Sequence, residues 1–386
     1  MGTQVISEIL QRAADGGRIS PDEALLLYTE APFHALGEAA DVVRRRRYPD
    51  GIVTYLIDRN INYTNICVTA CRFCAFHRAP NHAEGWVLPT DEILRRCAEA
   101  VDLGATQVML QGGHHPECGV EYYETLFAEV RRAFPELVIH SLGPSEILHM
   151  AKVSGLDIAE AIRRIRAAGL DSIAGAGAEM LPARPRRAIA PLKESGERWL
   201  EVMEIAHRLG MESTATMMIG TGETHDERIT HLRMIRDLQQ RTGGFRAFIP
   251  WTYQPANNHL KGRTQCTTLE YLRMVALARL FLDNIAHLQS SWLTTGKDAG
   301  QLSLHLGADD LGSIMLEENV ISSAGARHRS GLVELVRMIR AADRIPAQRD
   351  TRYNHLRVHR TPHDDPRDER VVSHFSSIAL PVVEVQ

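Results

Sequence analysis

Three thiols stand close together in Cys67-Val68-Thr69-Ala70-Cys71-Arg72-Phe73-Cys74, with three residues between the first pair and two between the second. Thiols this close can hold metal. Four-cysteine elements close a metal site completely, whereas three on one short loop leave a position open. A cubane 4Fe-4S cluster takes one thiolate-like ligand per iron. With three protein ligands, its fourth iron can bind a reacting molecule. Zinc is a second chemistry for the same loop, since His77 and His82 can complete a Cys3His site. A disulfide fits less well, because three thiols cannot all pair in a chain of this length. Cys97, Cys118 and Cys266 are scattered and read as small core fillers or surface thiols.

Such a loop needs stiff elements around it. A strand-like run, 52–57, precedes it. Further strand-like runs follow at 106–111, 137–141, 172–174, 213–219, 246–250 and 286–290, with 302–306 as the candidate for the last. Helical patterns lie between them at 90–103, 122–133, 147–153, 158–168, 199–209, 226–240 and 269–283. Strands alternating with helices are the βαβ rhythm. Seven or eight such repeats predict an α/β fold, a TIM-type (β/α) barrel rather than an open doubly wound sheet. In such barrels the chemistry sits on loops after the C-terminal strand ends, where the thiol loop falls.

The organisation expected is an N-terminal helical extension over 1–48, a barrel core over 49–310, and a C-terminal helical extension and tail over 311–386 packed on the barrel. Ser20, Pro21 and Glu23 form a helix-start signature. The second helix, 36–46, runs into Arg44-Arg45-Arg46-Arg47. A nucleic-acid patch is one reading; a solvated, dipole-favoured helix end is the stronger one. The stretch 361–370 reads as an exposed loop, and 371–380 is apolar enough to pack back.

Composition excludes other classes. The 386 residues are 44% hydrophobic and 24% charged, with a net charge of −4. Neither nucleic acid nor an anionic membrane is expected as a main partner. No apolar run is long enough to span a bilayer, and the first residues lack a secretion signal. The expected location is a reducing cytoplasm, which suits an oxygen-sensitive cluster.

The expected strand ends carry further chemistry. In Gln111-Gly112-Gly113-His114-His115-Pro116 the glycines let backbone approach a ligand. His114 and His115 titrate near neutrality and are candidates for acid–base work, with a structural hydrogen bond at a turn as the alternative. In Gly175-Ala176-Gly177-Ala178-Glu179 the carboxylate can accept from ribose hydroxyls or stand solvated. Glu223, after Gly220 and Gly222, can serve a ligand or begin the next helix. Residues 250–259 mix aromatics and amides, including Tyr253, Gln254 and Asn257, which suits an aromatic or sugar-like substrate. Arg246 or Lys297 can hold a carboxylate.

The cysteine spacing, with Phe73 before the last thiol, resembles the signature of the radical S-adenosylmethionine (SAM) superfamily. Cys-Arg-Phe-Cys-Ala-Phe, Gln-Gly-Gly-His-His-Pro, His-Ser-Leu-Gly-Pro-Ser-Glu and Gly-Ala-Gly-Ala-Glu-Met-Leu extend the likeness to its menaquinone and deazaflavin branch. Phe-Ile-Pro-Trp-Thr-Tyr-Gln-Pro and Leu-Gly-Ala-Asp-Asp-Leu-Gly-Ser continue it, so that it covers roughly residues 19–380. The resemblance implies a 4Fe-4S cluster on Cys67, Cys71 and Cys74, with SAM chelated on the open iron by its amino and carboxylate groups. A one-electron donor such as flavodoxin or ferredoxin would reduce the cluster, and SAM would split into methionine and a 5′-deoxyadenosyl radical. Phe73, Gln111, Gly112, Gly113, Ser141, Glu179, Gly220 and Glu223 are the implied cofactor contacts.

Two departures stand out. The superfamily's Gly-Gly-Glu element has His114 as its third residue here, so only the backbone role of Gly112 and Gly113 carries over. In the Gly-x-Ile-x-Gly-x-x-Glu element Gly220 and Glu223 match, while Thr216 and Met218 replace the first glycine and the isoleucine.

The branch chemistry most resembled is a ring closure. The adenosyl radical removes the C4′ hydrogen of a ribose-like ring, and the carbon radical attacks an attached benzoate. The aryl radical then loses an electron, which can return to the cluster, and a proton, which His114 or His115 can take. Two sibling reactions share cluster and barrel: addition of the adenosyl radical to an enol ether, and coupling of a tyrosine fragment to a pyrimidine. A non-catalytic zinc-binding barrel is the reading from a different class.

Overall fold

Eleven short strands can be named among residues 2–374 other than Thr264, which are the residues the computed structural model describes. In chain order they are β1 (Ile52–Leu56), β2 (Asp58–Asn62), β3 (Gln107–Gln111), β4 (Val138–Ser141), β5 (Ser172–Ile173) and β6 (Glu212–Ile219). There follow β7 (Phe245–Thr252), β8 (His287–Leu288), β9 (Asp310–Ser313), β10 (Ile345–Arg349) and β11 (His355–Val358). The strands β2 to β8 make one parallel sheet in chain order. Helices such as Thr90–Asp102, Val120–Ala133 and His225–Thr242 alternate with them.

The sheet curls until its ends meet. Gln289, just past β8, bridges to Asp310 at the head of β9. β9 pairs in parallel with β1, and Ile57 alone separates β1 from β2. This is the TIM-type barrel that the strand–helix rhythm predicts, with buried residues such as Val108, Phe127, Trp199 and Phe248 between sheet and helices.

The last barrel strand is not at 302–306. That stretch is the end of the helix Lys297–Ser303 and the turn after it, closed by Gly307 at φ +101°. Leu304 is buried while Leu302 is exposed, so the leucines follow a helical rather than a strand pattern. A short apolar run does not by itself tell the two apart.

The N-terminal mouth of the barrel is plugged by a feature the sequence did not suggest. β10 pairs with β1 on the side away from β9, and β11 folds back on β10. Arg349 pairs with Asp310 at the head of β9, and Thr351 donates to Gln107 at the head of β3 over 2.6 Å. Tyr353 stacks on His287 at the head of β8, ring centroids 3.6 Å apart. One strand start after another is thus tied to the β10–β11 hairpin.

The N-terminal helices pack outside the barrel. Ser20 and Glu23 make the expected capping box of the helix Pro21–Glu30. The arginine run ends the helix Phe33–Arg47, and half of it turns inward. Arg44 is buried against Asp41, and Arg47 donates to the carbonyls of Asp283 and Ile285. Arg44 and Arg47 thus tie the helix inward, while Arg45 and Arg46 stay exposed as a solvated helix end. The tail expected to pack back begins to do so, with Val371 buried and accepting from the Leu332 amide at 2.8 Å. Residues 375–380 of that stretch lie outside the described residues.

Candidate active site

The loop after β2 carries the three thiols, and the loop after β3 braces it. The Gly113 amide donates to the Thr64 carbonyl at 2.9 Å, and the Val68 amide donates to the His114 carbonyl at 3.1 Å. A Cβ on Gly113 would stand 2.1 Å from the Ile66 carbonyl oxygen, so only glycine permits this approach. The His114 Nδ1 lies 2.7 Å from the Thr69 hydroxyl. Two motifs far apart in sequence therefore form one unit.

Cys67, Cys71 and Cys74 are free thiols on one cavity of about 180 Å³. Burial pushes the Cys71 thiol up to about 12 and raises Cys74 as well. A metal that takes their sulfurs must therefore displace protons. Among the described residues no three His, Cys, Asp or Glu side chains converge on a single ion. Three thiols on one cavity suit a cluster, where each binds a different iron. His77 and His82 are turned to backbone instead: His77 Nδ1 lies 2.8 Å from the Cys74 carbonyl, and His82 Nδ1 accepts from the Glu84 amide at 3.1 Å.

The same cavity is lined by Gly112, Gly113, His114, Gly143, Glu146, Glu179 and Lys193. Glu146, the last residue of the His-Ser-Leu-Gly-Pro-Ser-Glu motif, stands on the helix Pro144–Ser154. Its carboxylate accepts from the amides of Gly112 (3.0 Å) and Gly143 (2.6 Å) and from the Tyr63 hydroxyl (2.6 Å). It thereby fixes two glycine turns at once. Lys193 was missed altogether. Its Nζ donates to both oxygens of Glu179 at 3.1 Å, with both side chains buried. Burial works against the Lys193 charge, but Glu179, Cys71 and Glu194 outweigh it and hold the ammonium above its usual value. Glu179 itself sits at φ +36°, a strained position for a residue with a Cβ.

A second cavity of about 330 Å³ continues into the barrel lumen. Phe73, Gln111 and Glu179 line both spaces. Its walls include Leu56, Met109, Ile249, Trp251 and Trp292, and its polar groups include Asn60, His140, Arg246 and Arg349. His140 is held neutral, its pKa near 3, by burial first and then by Arg246 and Arg349.

The other expected site residues fall into place around these cavities. His114 faces the thiol cavity, and burial, with Lys193 and His149 adding, lowers its pKa to about 3. His115 lines neither space; its Nδ1 accepts from the Glu117 amide at 3.2 Å and closes a turn. Ser141 is fully buried, its hydroxyl on the Leu110 carbonyl. Glu223 accepts from the Gly220 and Thr221 amides, each at 2.8 Å, and pairs with Arg228, so it builds its own turn. Gly220, Ser141 and Glu223 line neither cavity. Nor do Tyr253, Gln254, Asn257 and Lys297. Tyr253 donates to Asn258, Gln254 to the Thr294 carbonyl and Asn257 to the Ser323 carbonyl. Lys297 pairs with Glu334 at 2.6 Å. Arg246 is the one expected substrate-binding residue that lines the lumen.

A parallel barrel with three thiols on its first strand-end loop and glycine turns facing them has the architecture of a radical SAM enzyme. The model of the radical SAM superfamily matches residues 61–235, and that of the CofH/MqnC C-terminal region matches 242–361. The chain is 70% identical to the cyclic dehypoxanthine futalosine synthase of Streptomyces coelicolor, over 97% of this chain and 95% of that protein. It is 43% identical to the protein of the same name from Halalkalibacterium halodurans, over 92% and 95%. Among solved structures the FeFe-hydrogenase maturase HydG from Carboxydothermus hydrogenoformans shares the fold, with a TM-score of 0.72 at 20% identity over 91% of this chain and 81% of that one. The chain belongs to the radical SAM superfamily, in the group that carries the CofH/MqnC C-terminal region. Enzymes of this superfamily use a 4Fe-4S cluster and SAM. The three thiols and the glycines that line the same cavity fit both groups.

Proposed function

We propose that this enzyme converts dehypoxanthine futalosine to cyclic dehypoxanthine futalosine, the ring-closing step of the futalosine route to menaquinone. The observation that carries the reading is the 70% identity to a synthase of that name along nearly the whole chain. The lining residues that the thiol cavity shares with the barrel lumen, Phe73, Gln111 and Glu179, support it.

In this reading Cys67, Cys71 and Cys74 hold the cluster. SAM lies in the glycine-lined cavity, on backbone that Glu146 keeps in place. Lys193 orients Glu179 toward the same space. When bound, the two cofactors supply one-electron chemistry and take one hydrogen atom from the substrate. Phe73 and Gln111 stand where the two cavities join, so the sugar carbon that loses hydrogen belongs there. The apolar wall of Met109, Ile249, Trp251 and Trp292 receives the aromatic ring.

After closure the aromatic ring sheds one proton and one electron, and the electron would return to the cluster that Cys67, Cys71 and Cys74 would hold. His114 is the acceptor this reading assigns. It faces the thiol cavity, and burial keeps it neutral at pH 7, with a lone pair to offer. A weak base suffices where rearomatisation drives the release. A flavodoxin or ferredoxin of a reducing cytoplasm supplies the electron that starts each cycle.

Anaerobic turnover with reductant, SAM and dehypoxanthine futalosine tests the assignment. The expected product has lost two hydrogens relative to the substrate. An adenosylated adduct, or turnover only with tyrosine and a pyrimidine, would move the enzyme to one of the sibling reactions.

A further inference from the structure

The floor of the lumen holds a cation that the protein does not neutralise well. Five ionisable carboxylate or guanidinium groups line the lower cavity: Asp58, Glu179, Glu318, Arg246 and Arg349. Four are accounted for within the chain. Arg349 is paired with buried Asp310, and Glu179 with Lys193. Glu318 accepts from the amides of Val320, Ile321 and Ser322 at 2.7–2.8 Å. Asp58 accepts from Gln107 and Ser313, and burial raises its pKa.

Arg246 is different. Its side chain is only 9% exposed. Its carboxylate neighbour is Glu212, at 3.4 Å and itself half in solvent. One Nη donates to the Ser172 hydroxyl at 3.1 Å, and Nε has no partner. Burial lowers its pKa, so the fold works against its charge. A second orphan lines the same space: Asn60, 5% exposed, has an amide oxygen with no partner. Buried polar atoms left without partners cost stability unless a ligand completes them. A buried guanidinium is the group best shaped to take a carboxylate, through its fork of N–H donors.

We propose that Arg246 anchors the carboxylate of an aromatic acid on the lumen floor. The inference deepens the ring-closing reading and rests on it for the identity of the acid. The substrate then lies along the barrel axis, with its carboxylate on Arg246, its ring against Met109, Ile249 and Trp251, and its sugar toward the thiol loop. Arg246 lies near the start of β7, on the opposite side of the lumen cavity from the chemistry. It is a positioning residue that sets which atom reaches Phe73.

The test uses the anaerobically reconstituted holoenzyme, with the substrate acid and its methyl ester as probes. Binding is read by quenching of tryptophan fluorescence, since Trp251 and Trp292 line the cavity. The wild type should bind the acid about a hundredfold more tightly than the ester. Arg246→Met should lose that preference and bind both alike. Arg246→Lys should recover part of the acid preference. If Arg246→Met does not fold, as judged by circular dichroism, the Lys variant and the wild-type ester comparison decide. A wild type that binds ester and acid equally, or a Met or Lys variant with undiminished preference for the acid, would overturn the proposal. Should the wild type give no cyclised product while 3-hydroxybenzoate still quenches in an Arg246-dependent way, the carboxylate site stands and the ring-closing reading fails.

Discussion

The two cavities of this barrel are finished to different degrees. Around the thiol loop the polar groups satisfy one another: Glu146 takes two glycine amides and a tyrosine, and Glu179 takes Lys193. In the lumen Asn60 and Arg246 keep orphaned polar atoms. A complete site is preorganised for a ligand that is the same at every turnover. An incomplete one gains most of its partners from the ligand, and so discriminates against ligands that lack the matching group. The upper site thus reads as the cofactor's and the lower as the substrate's.

The largest effect expected falls on the upper site. Replacing Cys67, Cys71 or Cys74 with Ala should abolish the cluster, read as iron and sulfide content and visible absorbance. Cys97→Ala, Cys118→Ala and Cys266→Ala should load normally. Full loading in Cys71→Ala would erase the distinction between the two cavities at its root.

The histidine pair gives the next effect. His114→Gln should slow ring closure about a hundredfold while 5′-deoxyadenosine still forms. His115→Gln should stay within a few-fold of the parent, because its ring closes a turn outside both cavities. Equal losses of SAM cleavage in both variants would make them braces of the thiol loop instead.

Glu146→Gln replaces an acceptor of three donors by a group that can serve fewer. One buried N–H loses its partner, which should cost about 1–3 kcal/mol in urea unfolding and weaken SAM binding. Unchanged SAM affinity would detach Glu146 from the cofactor site.

A pH effect is shared by both cavities. His114 and His140 have folded pKa values near 3, below the ordinary histidine value. The unfolded chain therefore binds more protons as pH falls below about 6.5, and stability drops through the window from there toward pH 3. Each histidine should contribute up to about 1.4 kcal/mol per pH unit. His140→Gln should flatten the slope of unfolding free energy against pH by one proton; an unaltered slope would mean that His140 titrates normally. The smallest effect is that of Lys297→Ala. Its pair with Glu334 is partly exposed and worth at most about 1 kcal/mol, and substrate affinity should not change.

How much of this was legible in sequence depended on distance along the chain. The thiol spacing, the Gly112–Gly113 turn and the capping box at Ser20 are local patterns, and each is where its residues place it. The barrel was legible because its rhythm repeats. The misread strand at 302–306 shows the limit of a short apolar run: the structure has helix and turn there. The lumen was hidden for another reason. Asn60, His140 and Arg246 meet across strands far apart in sequence, and the hairpin bearing Arg349, Thr351 and Tyr353 reaches back to the start of the barrel. Lys193 carries no motif of its own, and only its buried pairing with Glu179 reveals it. Asn257 and Lys297 looked equally suited to substrate, yet their bonds point to Ser323 and Glu334.

The assignment of upper cavity to cofactor and lower cavity to a ring-closing substrate is tested most directly by isotope transfer. Dehypoxanthine futalosine carrying deuterium at C4′ is turned over once, anaerobically, and the 5′-deoxyadenosine is analysed by mass. The predicted result is one deuterium in the deoxyadenosine, with cyclised product formed in equal amount. Unlabelled deoxyadenosine beside cyclised product, or an adenosyl adduct in its place, would contradict it.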